Sequence, residues 1–173
     1  MAPTTILVTR ASGFIGCHCL LDLLRHVYRV RGSVRDLAQT DALDAILKAN
    51  GADTSILDWV QASLTQPDNW SAAVDGCDAI FHIASPVTAI KPRDPADLIE
   101  PAKQGTLNVL EAAASRGINR VVLTSSVTAI LGGTKEGRVY TANDWSDPSD
   151  PGMAPYAISK TLAERCACNF CKS

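Results

Sequence analysis

The sequence predicts an α/β fold, a doubly wound parallel sheet with helices on both faces, and three observations predict it. From Thr4 onward, short β-branched runs alternate with longer helical patterns, without repeats or low-complexity tracts, which is the rhythm of βαβ units. The first run, Thr5 to Thr9, is continuously apolar enough to be buried on both faces. It leads directly into a glycine-containing turn and then a helix. At 173 residues, 46% of them hydrophobic, the chain has material for one core of ordinary size, so residues 1–173 are read as a single domain.

After the first strand, Ile15, Cys19, Leu20, Leu23 and Leu24 give an apolar stripe that predicts a helix from Phe14 to His26. Tyr28 to Val34 reads as the second strand, and Asp41 to Ala49 as a helix stopped by the left-handed cap Asn50-Gly51. Ile56 to Ala62 is the third strand. A short helix from Pro67 to Val74 leads through the turn Asp75-Gly76 into a fourth strand, Ala79 to Ile83. Pro95 to Ser115 is a long helix closed by Gly117, and Val121 to Ser125 is the fifth strand. Thr134 to Pro155 is rich in Gly, Pro, Asp and Ser and reads as a long surface loop of the functional kind. The last helix begins near Pro155 or Tyr156 and runs to the end. Right-handed crossovers then give strand order 3-2-1-4-5, with ligands expected at the carboxyl ends of the strands, between strands one and four.

Composition narrows the partners. A net charge of -2 and a pI near 5.9, with Lys and Arg scattered, give no field to gather nucleic acid or an anionic membrane, so a small molecule is expected instead. Met1 to Thr9 carries one short apolar run with no basic segment ahead of it, which reads as neither signal peptide nor spanning helix, and a cytoplasmic location is the default. Six cysteines in a chain of this size fit reduced thiols better than a disulfide scaffold. Cys17 and Cys19 point to different helix faces, and the clusters lack the two-plus-two spacing of structural zinc modules, so no metal site is expected.

The turn Thr9-Arg10-Ala11-Ser12-Gly13-Phe14-Ile15-Gly16 stands between strand and helix, the Rossmann-type context in which such a turn binds pyrophosphate. Gly13 lets backbone approach the phosphates, Gly16 lets helix and strand pack closely, and the helix N-terminus offers free N–H groups and a favourable dipole. Cofactor choice is read at the end of the second strand. An acidic residue there would bond the ribose 2′-hydroxyl of NAD, whereas Arg31-Gly32-Ser33-Val34-Arg35 offers a guanidinium that matches a 2′-phosphate. NADP(H) is therefore the expected cofactor, with NAD(H) second, against the plainer reading of Arg35 as a solvated loop charge. Tyr156 and Lys160 stand four apart on a helix and share a face, and an ammonium so placed favours the phenolate that acid–base work needs. Ser126 follows the fifth strand, where its hydroxyl can bond a substrate carbonyl.

Taken together, Thr9 to Gly16, His82-Ile83-Ala84-Ser85-Pro86, Leu123-Thr124-Ser125-Ser126 and Tyr156-Ala157-Ile158-Ser159-Lys160 resemble the extended short-chain dehydrogenase/reductase superfamily, of NAD-dependent epimerase/dehydratase type. Val30 to Arg35 and Tyr156 to Glu164 are most similar to its dihydroflavonol 4-reductase and cinnamoyl-CoA reductase branch. The resemblance implies a catalytic set of Ser126, Tyr156 and Lys160. It implies a cofactor lining of Gly13, Phe14, Ile15, Gly16, Arg35, Ser63, Leu64, Ala84, Ser85, Thr124 and Ser125, with Tyr156 and Lys160 also touching the cofactor.

Two positions depart from the pattern. Arg10 replaces the first glycine of the phosphate turn, where a side chain is forced into a backbone region costing about 1–3 kcal/mol. Its cation could reach the pyrophosphate, but steric exclusion acts before charge can help. Ser63 replaces an aspartate that bonds the adenine amine, which weakens adenine recognition. His82 reads as a packed, hydrogen-bonded residue rather than a catalytic one.

The implied reaction is NADPH-dependent reduction of a carbonyl on a small organic substrate, or the reverse oxidation of an alcohol. Ser126 polarises the oxygen, Tyr156 protonates it and Lys160 tunes Tyr156. A nucleotide-sugar epimerase or dehydratase holding NAD, and a non-catalytic nucleotide-binding remnant, remain as rival readings. The chain stops soon after the Tyr156 helix, where the resemblance implies further strands and a substrate-binding lobe. The outer edge of the fifth strand and the apolar face of the last helix are then expected to be uncovered, which invites self-association.

Overall fold

The computed structural model describes residues 4–87, 93–133 and 137–172. In order, the chain forms β1 (Thr5–Val8), α1 (Phe14–Arg25), β2 (Arg29–Val34), α2 (Thr40–Ala49), β3 (Leu57–Gln61), α3 (Asp68–Val74), β4 (Ala79–His82), α4 (Ala96–Ser115), β5 (Val121–Leu123), α5 (Thr128–Leu131) and α6 (Pro155–Phe170). The strands form one parallel sheet in the order β3-β2-β1-β4-β5, as the crossover argument predicts. The chain divides into two compact units, Met1–Ala84 with Glu111–Thr124 and Ser85–Leu110 with Ser125–Ser173.

The first unit holds the whole sheet. Ile6 and Val8 of β1 pack with Val30 of β2, with Leu20, Leu23 and Leu24 of α1 and with Leu47 of α2. Leu7 lies between Ile6 and Val8, faces the other side by the two-residue repeat of a strand, and is buried as well. That double burial is what the unbroken apolar run of the first strand predicts. Four of the five strands end one or two residues before the predicted position, at Val8, Gln61, His82 and Leu123, whereas β2 ends at Val34 as predicted.

The helix starts follow local chemistry. Asp94 accepts a hydrogen bond from the Ala96 amide at 2.8 Å and Pro95 follows it, so the long helix is capped where the sequence predicts. The end of α1 is less conventional. The amide of Tyr28 donates to the Leu23 carbonyl at 3.1 Å and that of Val27 to Leu24 at 3.0 Å, the two bonds of a Schellman cap. The cap needs a left-handed residue, and Val27 supplies it with φ of 62° although its β-branched side chain disfavours that region.

The second unit differs from the sequence reading in two respects. A short helix, α5, follows the fifth strand where no helix is predicted. The last helix stops at Phe170, with Cys171 and Lys172 in a turn. The first three residues of the predicted surface loop, 134–136, lie outside the described residues. The rest of the loop is ordered by its own polar groups. Asp144 accepts from the Thr141 amide at 2.7 Å and from Arg138 at 2.8 Å, which hold its carboxyl below the usual carboxylate range. The buried Ser146 hydroxyl accepts from the Gly132 amide at 2.7 Å and donates to the Thr128 carbonyl at 2.8 Å, fastening the loop to the end of α5. No helix among the described residues is long and apolar enough to cross a membrane, and no group of His, Cys, Asp or Glu there could hold a metal ion.

Candidate functional site

Because all five strands are parallel, the carboxyl ends of β1 to β5 share one edge of the sheet. That edge carries the predicted residues of the first unit: the turn from Thr9 to Gly16 after β1, Arg35 after β2, Ser63 and Leu64 after β3, Ala84 after β4 and Thr124 after β5.

The β1–α1 turn is tight around Gly16. A Cβ built on Gly16 would lie 2.3 Å from the Arg10 carbonyl oxygen and 2.9 Å from the Ala11 Cα, so no other residue fits without moving the turn. Gly13 caps α1 in extended conformation, its amide donating to the Arg10 carbonyl at 3.0 Å. Phe14 and Ile15 begin α1 with exposed side chains, and amides in a first helical turn have no acceptor within the helix.

Arg10 takes φ of 54°, the strained region that the missing glycine implies. Ser33 of β2 holds it there: the Ser33 hydroxyl accepts from the Arg10 amide at 3.3 Å and the Ser33 carbonyl from the Ala11 amide at 2.9 Å. The arginine side chain runs along Gly13, with Nε 3.4 Å and Cγ 3.5 Å from where a Cβ on Gly13 would stand. It therefore lies over the glycine that would admit a pyrophosphate.

The two arginines flanking Gly32 and Ser33 have different roles. The guanidinium of Arg31 donates to the Ala73 and Asp75 carbonyls at 3.2 and 2.5 Å, closing the end of α3. Arg35 is exposed; its carbonyl accepts from Gln61, and its guanidinium has no hydrogen bond or ion pair among the described residues. Asp36, the adjacent acid, turns its carboxylate to the Ala38 amide at 2.9 Å and caps the following turn. Ser63 is held through its carbonyl by the buried Trp70 indole at 3.1 Å, while its hydroxyl lies 3.3 Å from that of Thr65.

His82 is fully packed and pinned. The Thr9 hydroxyl accepts from the Ile83 and Ala84 amides at 3.0 and 2.8 Å, which uses both its lone pairs. Its one proton therefore points to Nδ1 of His82, 3.0 Å away, which accepts it. The histidine thus joins the ends of β1 and β4 and fixes the segment from which Ala84 projects, in keeping with the structural role read from sequence.

The second unit carries Ser85, Ser125, Ser126, Tyr156 and Lys160. Pro155 begins α6, placing Tyr156 in its first turn and Lys160 one turn on along the same face. Tyr156 is half-buried, whereas Lys160 keeps 6% of its surface exposed, unusual for a lysine. Ser126 is held by α5: its hydroxyl accepts from the Thr128 hydroxyl at 3.0 Å and the Thr128 amide at 3.3 Å. The Ser125 hydroxyl donates to the carboxylate of Glu164, on α6. Sequence reasoning missed Glu164, Thr128, Ser146 and Arg165. Thr128 bonds Ser126 two residues before it, but Glu164, Ser146 and Arg165, whose guanidinium donates to the Ser146 carbonyl at 3.1 Å, have partners distant in the chain. The one sequence signal is that Glu164 extends the Tyr156, Lys160 spacing by another four residues.

Sheet order, glycine turn and crest residues define a Rossmann-type fold. The chain belongs to the NAD dependent epimerase/dehydratase family, whose model matches residues 6–173. It is 34% identical to a dihydroflavonol 4-reductase of Arabidopsis thaliana over 174 residues, covering 96% of this chain and 45% of that protein. It is 36% identical to a cinnamoyl-CoA reductase of Medicago truncatula over 173 residues, covering 96% of this chain and 53% of that one. Among solved structures it resembles Gre2 from Candida albicans, a complex with NADPH, with a TM-score of 0.83 at 30% identity over 99% of this chain and 54% of that chain. These relatives include both members of the branch that the motifs resemble. The chain spans about half the length of the relatives it matches.

Proposed function

We propose that the chain is the nucleotide-binding part of an NADPH-dependent reductase acting on a carbonyl of a small organic molecule, with residues 1–173 as one dinucleotide-binding domain. The observation that carries this reading is α6, where Tyr156 and a buried Lys160 stand one turn apart on one face and Glu164 bonds the serine beside Ser126. The glycine turn supports a dinucleotide, since Gly16 leaves no room for a Cβ. Arg35 supports NADP(H) over NAD(H), because an exposed guanidinium at the end of β2 is placed as a 2′-phosphate ligand would be, while Asp36 is turned to a backbone amide.

In this reading Gly13, Phe14, Ile15 and Gly16 cradle the pyrophosphate and Arg35 takes the 2′-phosphate. Ser63 and Leu64 lie at the adenine, and Ala84, Ser85, Thr124 and Ser125 line the remainder. NADPH, when bound, supplies the hydride that reduces the substrate carbon. Ser126 donates a hydrogen bond to the carbonyl oxygen, Tyr156 delivers the proton to it, and the Lys160 ammonium stabilises the phenolate left behind. Tyr156→Phe removes that proton donor and no cofactor ligand of comparable weight. We expect NADPH-dependent turnover to fall by about 10²-fold or more, the usual worth of a general acid, with NADPH affinity within about twofold. Turnover equal to wild type would overturn the mechanism.

Arg10 favours a second reading, a nucleotide-binding remnant without catalysis, because its side chain lies along Gly13. Arg10→Gly separates the two: a marked gain in NADPH affinity supports a cradle that works once cleared, and no binding by either form supports a remnant whose nucleotide site has lost its function.

A further inference from the structure

The helix that carries Tyr156 and Lys160 also carries Glu164. The three are spaced by four residues, so their side chains leave one face of α6 at successive turns. The proposed chemistry uses the first two and gives Glu164 no part. Yet Glu164 is half-buried and accepts the hydroxyl proton of Ser125, a residue 39 positions earlier in the chain. A hydroxyl bonded to a carboxylate is a charge-assisted pair, stronger than most side-chain hydrogen bonds.

The next residue is Ser126. Its hydroxyl accepts from the Thr128 hydroxyl and amide, and its carbonyl accepts from the Ala129 amide at 2.9 Å, so Ser126 opens the first turn of α5. The Ser125–Ser126 turn is thus fastened at two points. One holds it to α5, and the other, through Glu164, holds it to the face of α6 that bears Tyr156 and Lys160. Helix α5 is four residues long and too short to hold a position by itself.

We infer that Glu164 is a positioning residue: by gripping Ser125 it sets where the Ser126 hydroxyl stands relative to Tyr156. The catalytic consequence rests on the reductase reading; the grip itself rests on the hydrogen bond alone. Glu164 touches neither substrate nor reacting atoms in this account. Its carboxylate serves as a fixed acceptor, so a glutamine, which keeps one acceptor oxygen on the same stem, should replace it in part, and a leucine should not.

The test compares wild type with Glu164→Gln, Glu164→Leu and Ser125→Ala in the full chain. Backbone hydrogen exchange at Thr128 and Ala129 is measured against amides of β1 and β4. Glu164→Leu is expected to speed exchange at Thr128 and Ala129 by roughly tenfold, as the loss of one charge-assisted bond would, while the strand amides stay unchanged and Glu164→Gln stays near wild type. In NADPH-dependent reduction, Glu164→Leu should lower kcat by roughly tenfold with KM for NADPH within about twofold, and Gln should recover most of it. Unchanged exchange at Thr128 and Ala129 overturns the inference, as does a glutamine no better than the leucine or a kcat indifferent to both. Should Glu164→Leu fail to fold, Ser125→Ala removes the same bond from its other end and the exchange readout decides. Failure of the reductase reading is seen separately, as a Tyr156→Phe variant that turns over like wild type, and leaves the exchange result standing.

Discussion

Arg10 and Val27 are the residues other than glycine with positive φ among the described residues, at 54° and 62°. They carry the same backbone strain with different meanings. Arg10 occupies the turn proposed to cradle the pyrophosphate, and its side chain also lies along Gly13. Ser33 holds the turn through one hydrogen bond from the Arg10 amide and one from the Ala11 amide, so it keeps its shape and Gly16 still seats under the Arg10 carbonyl. Arg10→Gly relieves both the backbone strain and the crowding over Gly13. We expect its NADPH dissociation constant to fall by roughly tenfold, equivalent to about 1.4 kcal/mol, when measured by fluorescence titration. An affinity equal to or weaker than wild type would show that the arginine had become a ligand instead of an obstacle. That position was legible in the sequence, since a glycine turn missing its first glycine can be read without coordinates.

Val27 was not legible in the same way. A helix ending before a strand is easy to read from periodicity, but the Schellman cap at its end leaves no glycine in the sequence to mark it. Val27→Gly is expected to stabilise the chain by about 1 kcal/mol, the αL penalty of a β-branched residue less the greater chain entropy of glycine. Thermal unfolding should show a Tm raised by roughly 2–4 °C, and a lowered Tm would mean that the valine's packing outweighs its strain. The strands and long helices were readable because each buries a regular apolar pattern. Helix α5 was not, because four residues are too few for a helical period and its surroundings are set by Ser146, more than ten residues further on. The grip of Glu164 on Ser125 was hidden for the same reason, since it joins residues distant in the chain. At the sheet margin, β5 pairs with β4 alone among the described residues, and Val122 on it is 55% exposed. An apolar, unpaired strand edge invites pairing with another copy. Val122→Lys should lower the self-associated fraction in sedimentation velocity, and an unchanged distribution would exclude this edge as the contact.

For the whole molecule, the sheet order could be read from the alternation of strands and helices with right-handed crossovers, and the family from four short motifs in the right sequence. The division into two compact units could not, because it follows from three-dimensional contacts that no local pattern encodes. The choice of cofactor belongs to this scale, since binding of a dinucleotide is linked to the stability of the entire fold. At free NADPH about a hundredfold above its dissociation constant, stabilisation should reach about 2.7 kcal/mol, or roughly 5–10 °C in Tm for a chain of this size. NADH at the same concentration should give a clearly smaller shift, because it offers Arg35 no 2′-phosphate. Equal shifts would assign Arg35 to solvent, and no shift with either would support the remnant.

The Thr9 hydroxyl serves two backbone amides and an imidazole at once, so its proton and both lone pairs are all engaged. Sequence drift at position 9 is correspondingly narrow. Serine can reproduce the whole set, whereas valine, nearly identical in shape, would strand three polar groups inside the protein at about 1–3 kcal/mol each. A mutational tolerance map of this chain should therefore show a single oxygen atom, rather than a side-chain volume, as the trait under selection at that position.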